Sequence, residues 1–252
     1  MIEEKTQGDW GSMLNEYYQL TRHPLPGELD FWKGQISKGD SVIEIGAGQG
    51  FITKHLVEKQ PSQLLLVEPC ESSARYLEPL SKQTKFIDIS YDLFETCENL
   101  RVSDCILFPY DSLPMVNFDS YDQFFAKIRD NLTDSGKFVF HISTKKWNEE
   151  YISKFEKTYR TTKTFPSGRN VTILAWAEKH SDSGYTKFFC FIDCETRESE
   201  YYQMTTNIID EQFVQSMCHK HQLSISDVKT SFDGLPGEDD LVITLTKQRA
   251  AS

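Results

Sequence analysis

The chain has 252 residues, 38% hydrophobic and 26% charged, which suits one α/β domain with an inserted subdomain around a real core. Its 27 Lys and Arg against 38 Asp and Glu leave a formal charge of −11, and no basic run exceeds Lys145-Lys146, which argues against a nucleic-acid partner. No apolar run approaches the ~18–20 residues of a membrane span, and the acidic opening MIEEKTQGDW lacks a signal peptide's apolar stretch, so no membrane partner and a cytoplasmic location are expected.

In chain order, Ser12–Leu20 reads as a short helix and His23-Pro24-Leu25-Pro26-Gly27 as a break. Glu28–Ile36 reads as a second helix with Leu29, Trp32 and Ile36 on one stripe. From Ser41 the pattern becomes strand, helix, strand: Ser41–Ile45, Phe51–Lys59, then the continuous apolar run Leu64–Val67, typical of parallel strands buried on both faces. A helix is expected over Glu71–Glu78, ended by Pro79, followed by strands at Lys85–Ile89 and Asp104–Phe108. Ser120–Asn131 reads as a helix and Lys137–Ile142 as a strand after the turn Thr133-Asp134-Ser135-Gly136. This alternation predicts a doubly wound parallel sheet with helices on both faces.

After a helix expected over Trp147–Tyr159, the tempo changes. Asn170–Glu178, Tyr185–Asp193 and Ser199–Thr206 are β-rich runs with short polar connections, the pattern of an antiparallel meander. The domain reading is therefore residues 1–162 with 207–252 for the wound sheet, and 163–206 for an inserted β subdomain. A last helix, Asp210–His221, carries Asp210 as N-cap, and Leu223–Val228 and Leu241–Thr246 close the chain around the loop Phe232–Asp240. The six cysteines are scattered without a Cys-x-x-Cys pair and read as structural. Cys218-His219-Lys220-His221 reads as the polar end of a helix, so no metal is expected.

The chemistry is concentrated at Val42-Ile43-Glu44-Ile45-Gly46-Ala47-Gly48-Gln49-Gly50, between a strand and a helix. Glycines there permit positive φ and let a ligand approach bare backbone. Glu68 ends the next strand, eighteen positions after Gly50, where a carboxylate can accept both hydroxyls of a ribose. Glu44, two residues before the first glycine, needs a cation or donor groups if it is buried. Nicotinamide-dinucleotide binding is the competing reading, but its Gly-x-Gly-x-x-Gly would put the third glycine at Phe51.

VIEIGAGQG followed by LLLVEP resembles the cofactor-binding core of class I S-adenosylmethionine-dependent methyltransferases. The resemblance extends over about residues 14–247, through DCILFPYDSLPMV, FDSYDQFFAKIRDNLTDSGKFVFHI and SFDGLPGEDDLVITLTK, and is nearest to members that methylate small metabolites such as amino sugars and amines. It implies a Rossmann-like, seven-stranded sheet with an antiparallel last strand, S-adenosyl-L-methionine as cofactor, and a small-molecule methyl acceptor. It places Glu44, Gly46, Ala47, Gly48 and Gly50 along the methionine part of the cofactor, Glu68 on the ribose and Pro69 beside the adenine. Phe108, Pro109 and Tyr110 fall near the sulfonium, and Tyr17 or Tyr18 closes over the cofactor. The family's acid after the third strand has Asp88 and Ser90 near its place, and His141 stands where the fifth strand often ends in an acid.

A protonated amine or hydroxyl acceptor needs a base. His141, at the carboxyl end of a central strand, is the first candidate; a satisfied core histidine is the plainer reading of the same position. Tyr110 and Asp111 are alternatives, Tyr110 also as a residue that orients substrate and Asp111 also as a turn residue. The aromatic meander reads either as a roof over an acceptor pocket or as a homodimer face. A cofactor-binding partner protein without catalysis is the alternative function from a different class.

Overall fold

The structure is a computed structural model that describes residues 2–5, 11–232 and 239–248. In chain order the elements are β1 (Ile2–Lys5), α1 (Ser12–Thr21), α2 (Glu28–Gly34), β2 (Ser41–Ile45), α3 (Thr53–Val57), β3 (Gln63–Val67), α4 (Glu71–Ala74), α5 (Glu78–Gln83), β4 (Ile87–Ser90), β5 (Ser103–Phe108), α6 (Tyr121–Asp130), β6 (Leu132–Ser143), α7 (Lys145–Phe155), β7 (Tyr159–Thr164), β8 (Asn170–Ser181), β9 (Gly184–Asp193), β10 (Ser199–Asn207), α8 (Glu211–His221), β11 (Leu223–Lys229) and β12 (Asp240–Lys247). They fall into two compact units, Met1–His23 with Lys145–Ile208 and Pro24–Thr144 with Ile209–Ser252. The first unit is larger than the expected segment 163–206, because it also takes in β1, α1, α7 and β7. Most of the loop expected between Phe232 and Asp240 lies outside the described residues.

The second unit carries a seven-stranded sheet in the order β11-β12-β6-β5-β2-β3-β4. The pairs β2–β3, β2–β5, β3–β4 and β5–β6 are parallel, while β12 runs antiparallel to β6 and to β11. This is the wound sheet with an antiparallel last strand that the sequence implied. Alternate residues of each strand feed two cores. Ile43, Ile106, Phe138, Phe140 and Ile243 face one of them, with Phe124 and Phe125 of α6 and Val214 of α8. Val42, Leu107, Val139 and Val242 face the other, with Trp32 of α2 and Leu56 of α3.

Local differences from the sequence reading have local causes. Pro79 sits in the first turn of α5, where a missing N–H is harmless, so it starts a helix and the stretch expected over Glu71–Glu78 divides into α4 and α5. β6 begins at Leu132, ahead of the expected turn, and absorbs it as an irregularity: Ser103 pairs with Leu132, but Cys105 pairs with Lys137. Asp210 caps α8 by accepting from Phe213 N at 2.8 Å. His221, in the last turn of α8, turns to Asp122 with Nε2 2.8 Å from Oδ1.

The first unit is built on a five-stranded sheet, β1-β10-β9-β8-β7, antiparallel except that β1 runs parallel to β10. β1 and β7 were not foreseen; the polar run of β7, YRTTKT, has no apolar alternation to announce a strand. Tyr17 of α1 lies against Phe189 and Phe191 at 5.9 and 5.4 Å between ring centroids. Trp176, Phe188 and Tyr201 stack in a row on three neighbouring strands. Glu16 pairs with Arg169 and accepts from Ser167 N at 2.9 Å. Among the described residues, no helix is long and apolar enough to cross a membrane.

Candidate active site

The chain turns at the end of β2 because a parallel strand must reverse into its helix. Gly46 N donates to Val67 O at 2.8 Å, which ties the turn to the end of β3. Gly48 has φ +55°, and a Cβ added there would meet only Gly46 O, at 3.9 Å, so open space lies before its backbone. Gly50 has φ +79°, and there a Cβ would stand 2.7 Å from Leu77 Cδ2. Gly48 thus leaves room for a ligand, and Gly50 leaves room for packing. Ala47, between Gly46 and Gly48, is buried in the core.

Glu68, just beyond β3, is 6% exposed. Its Oε2 accepts from Gly48 N at 2.8 Å and its Oε1 from Cys70 N at 2.9 Å. The acid and the glycine turn, twenty residues apart, are one group in space, and Pro69 follows at its rim. Glu44 is 1% exposed and meets a donor, not a cation: Thr53 Oγ1 donates to its Oε2 at 2.7 Å. Burial pushes the Glu44 carboxyl up to about 8; the Thr53 hydrogen bond opposes this and the charge of Glu68 adds to it.

At the end of β5, Phe108 is buried, with its ring 3.2 Å from where a Cβ on Gly46 would stand. Pro109 is followed by two residues in the left-handed region, Tyr110 at φ +61° and Asp111 at φ +53°. Such a conformation costs a non-glycine residue ~1–2 kcal/mol, so something must hold it. The Asp111 carboxylate does: its oxygens accept from Ser143 N and Ser143 Oγ, each at 2.8 Å. The ends of β5 and β6 are thereby clamped together. Asp111, expected as a base or turn residue, is both a turn residue and this clamp.

Register fixes the place of His141. Glu44, Leu107 and Val139 are aligned across β2, β5 and β6. Two residues further along each strand come Gly46, Pro109 and His141, at the same carboxyl edge. His141 is 6% exposed, its ring meets Phe232 edge-on at 5.2 Å, and Nε2 lies 2.8 Å from Asp240 Oδ1.

One expected residue of the second unit lies apart from this group. Asp88 is exposed, pairs with Arg101 at 3.9 Å and is level with Leu65 on β3, three positions before Glu68, whose N–H donates to Ser90 O. The polar pair at that edge is Ser90 with Asp92, at 2.8 Å. Tyr18 belongs to the first unit, where its hydroxyl donates to Met204 Sδ at 3.8 Å and Arg22 lies 4.8 Å over its ring. Sequence reasoning missed Thr53, Ser143, Asp240 and Asp92. Each is far in sequence from its partner or too common in type to stand out. Among the described residues, no cluster of His, Cys, Asp or Glu is fit to hold a metal ion.

Residues 28–233 match the family described as mycolic acid cyclopropane synthetase. The chain belongs to this family of class I S-adenosylmethionine-dependent methyltransferases. Comparison with curated proteins finds no match. Among solved structures the chain is similar to an S-adenosylmethionine-dependent methyltransferase from Clostridium acetobutylicum, at TM-score 0.73 and 12% identity over 94% of this chain and 97% of that one. It is also similar to the sugar N-methyltransferase KedS8 from Streptoalloteichus, at TM-score 0.69 and 11% identity over 96% and 94%. A third is a 1,6-didemethyltoxoflavin N1-methyltransferase from Burkholderia thailandensis with bound S-adenosylhomocysteine, at TM-score 0.55 and 14% identity over 89% and 77%. At these identities the likeness is one of fold; family membership carries the activity and S-adenosylmethionine as its cofactor. The residues present fit that group: open space before Gly48, a carboxylate beside it, and a second, buried carboxyl to face a cation.

Proposed function

We propose that this methyltransferase acts on a nitrogen or oxygen of a small polar metabolite. The observation that supports the reading is the contact of Glu68 with Gly48 N, which sets a carboxylate beside a glycine of the turn that faces open space. The sugar and toxoflavin acceptors named for two of the similar structures support a small polar substrate.

In this reading Glu68 takes the ribose hydroxyls of the cofactor, Gly46, Ala47 and Gly48 border its methionine part, and Pro69 flanks the adenine. Ser90 and Asp92 stand nearer that end than Asp88 does. Glu44 faces the cationic end. When bound, the cofactor would supply a methyl group on a positively charged sulfur, with a neutral thioether as leaving group that needs no acid. The protein's task is alignment, an effect worth up to ~7–11 kcal/mol. Phe108, Pro109 and Tyr110, held by the Asp111 clamp, shape the wall where the acceptor docks, and His141 takes its proton.

Calorimetry with S-adenosylmethionine, S-adenosylhomocysteine and NAD tests the cofactor site: the first two bind and NAD does not. Incubation of the protein with labelled S-adenosylmethionine and a panel of polar amines, amino sugars and alcohols tests the acceptor class. Label transfer only to lipids or to protein would overturn it.

A further inference from the structure

One ammonium group of the first unit is ringed by aromatic side chains. Trp147 and Tyr151 stand one helical turn apart on α7, with their rings stacked at 5.2 Å between centroids. Tyr185 and Lys187 stand two apart on β9, so both point to the same face of the sheet. Tyr151 meets Tyr185 at 5.9 Å, and the buried Tyr185 hydroxyl donates to Asn148 Oδ1 at 2.9 Å, which ties the strand to the helix. Lys187 Nζ lies over all three rings, 5.1 Å from the centroid of Tyr151, 5.5 Å from that of Tyr185 and 5.9 Å from that of Trp147. Trp147, Tyr151 and Lys187 are half-buried, so each keeps some surface in solvent.

The box is wide for its occupant. Atoms in contact lie ~3.5–4.0 Å apart, and a bare ammonium seated on a ring face would bring its nitrogen about that close. The three distances from Nζ exceed contact by roughly 1–2 Å each, near the length of one carbon–nitrogen bond, about 1.5 Å. A nitrogen bearing methyl groups at the same point would touch the rings through its methyls. Such an ion also sheds water at less cost than an ammonium with its N–H donors, and the ring faces supply the negative potential that replaces the water.

We propose that Trp147, Tyr151 and Tyr185 form a subsite for a methylated ammonium ion, with Lys187 as its occupant in the free protein. The ligand class is a compact metabolite with a quaternary ammonium head. N-methylated amines are what a nitrogen methyltransferase makes, so the biological meaning of the subsite rests on the nitrogen acceptor proposed above.

The test uses the full chain with 13C-labelled lysine, choline as probe, and dimethylbutanol, its neutral carbon isostere, as control. The three rings shift the Lys187 ε-CH2 resonance upfield, and its loss in Lys187→Ala assigns it. Millimolar choline moves that resonance toward the value of a solvated lysine, while the isostere and equimolar sodium chloride leave it in place. By calorimetry, Lys187→Ala binds choline about tenfold more tightly than the wild type, the worth of the displaced ring contacts. Adding Trp147→Leu or Tyr151→Leu to Lys187→Ala weakens choline by about the same factor. A Lys187 resonance that choline moves no further than sodium chloride does overturns the proposal. So does an equal response to the isostere, or a Lys187→Ala variant that binds choline no better than the wild type. Choline binding of this kind without methyl transfer to any amine would uphold the subsite and overturn the nitrogen acceptor; transfer to amines beside an unresponsive box overturns the subsite alone.

Discussion

The carboxyl of Glu44, 1% exposed, is held by one hydrogen bond, from Thr53 Oγ1 at 2.7 Å, and stands within the field of Glu68. Burial, the larger cause, raises its pKa to about 8. Between the ordinary value of 4.5 and 8 the folded chain holds a proton that the unfolded chain releases. Its contribution to stability is whole below about pH 4.5 and is lost as the pH climbs through 8, at ~1.4 kcal/mol for each pH unit across that window. Thermal melting from pH 5 to 9 shows this decline in the wild type and a flatter profile in Glu44→Gln. An unaltered slope in the variant refutes it.

The same proton should leave when a cation enters. Calorimetry of S-adenosylmethionine binding near pH 7, in buffers of different ionisation enthalpy, should report proton release that Glu44→Gln abolishes. Equal apparent enthalpies in all buffers for the wild type would contradict the assignment.

The glycines of the turn separate by experiment. Gly48→Val puts a branched side chain into the open space and adds ~1–2 kcal/mol of backbone strain at φ +55°; cofactor affinity should be lost while the fold survives. Gly50→Ala forces a Cβ against Leu77 and should lower stability by ~1–3 kcal/mol. Isothermal titration and denaturant unfolding of both variants check the pair, and intact cofactor affinity in Gly48→Val counts against the open site.

Asp111→Ala removes two hydrogen bonds to Ser143 and a residue type that tolerates the left-handed backbone better than alanine does. A stability loss of ~2–3 kcal/mol is expected, with kcat reduced and cofactor affinity kept. Asp111→Asn, which keeps one acceptor oxygen, should fall between. Unfolding curves with steady-state kinetics decide it; wild-type values in both variants dismiss the clamp.

In the first unit, burial works to raise the Glu16 carboxyl, but hydrogen bonds from Ser167 and Arg169 overcome it and hold the group below its ordinary 4.5. The stability it confers is present above 4.5 and fades as pH falls through its lower folded value. Glu16→Gln should therefore cost ~1–3 kcal/mol at pH 7 and narrow its deficit in acid. A deficit that does not depend on pH would show that Arg169 gains nothing from the charge.

Much of the fold was legible because it rests on short-range pattern. Continuous apolar runs such as Leu64–Val67 announced parallel strands, and Asp210 announced the start of α8. Gly46, Gly48, Gly50 and Glu68 stood out as a strand-to-helix turn with an acid one strand later, and the structure joins that acid to Gly48 N. β7 and β1 stayed hidden, since polar strands take their stability from ladder partners rather than from their own residues. Pro79 misled for a similar reason: the same ring ends a helix or begins one, according to where the helix starts.

The sequence by itself therefore determined the class of fold, the turn and its acid, and, through the family they resemble, the cofactor. Only the tertiary structure decided how the polar side chains pair: Glu44 with Thr53, Asp111 with Ser143, His141 with Asp240, and Asp88 with Arg101 away from the edge. Periodicity follows from the local geometry of the chain, whereas the partner of a buried polar atom depends on which strands lie side by side and in what register. That register is set by the packing of the whole sheet.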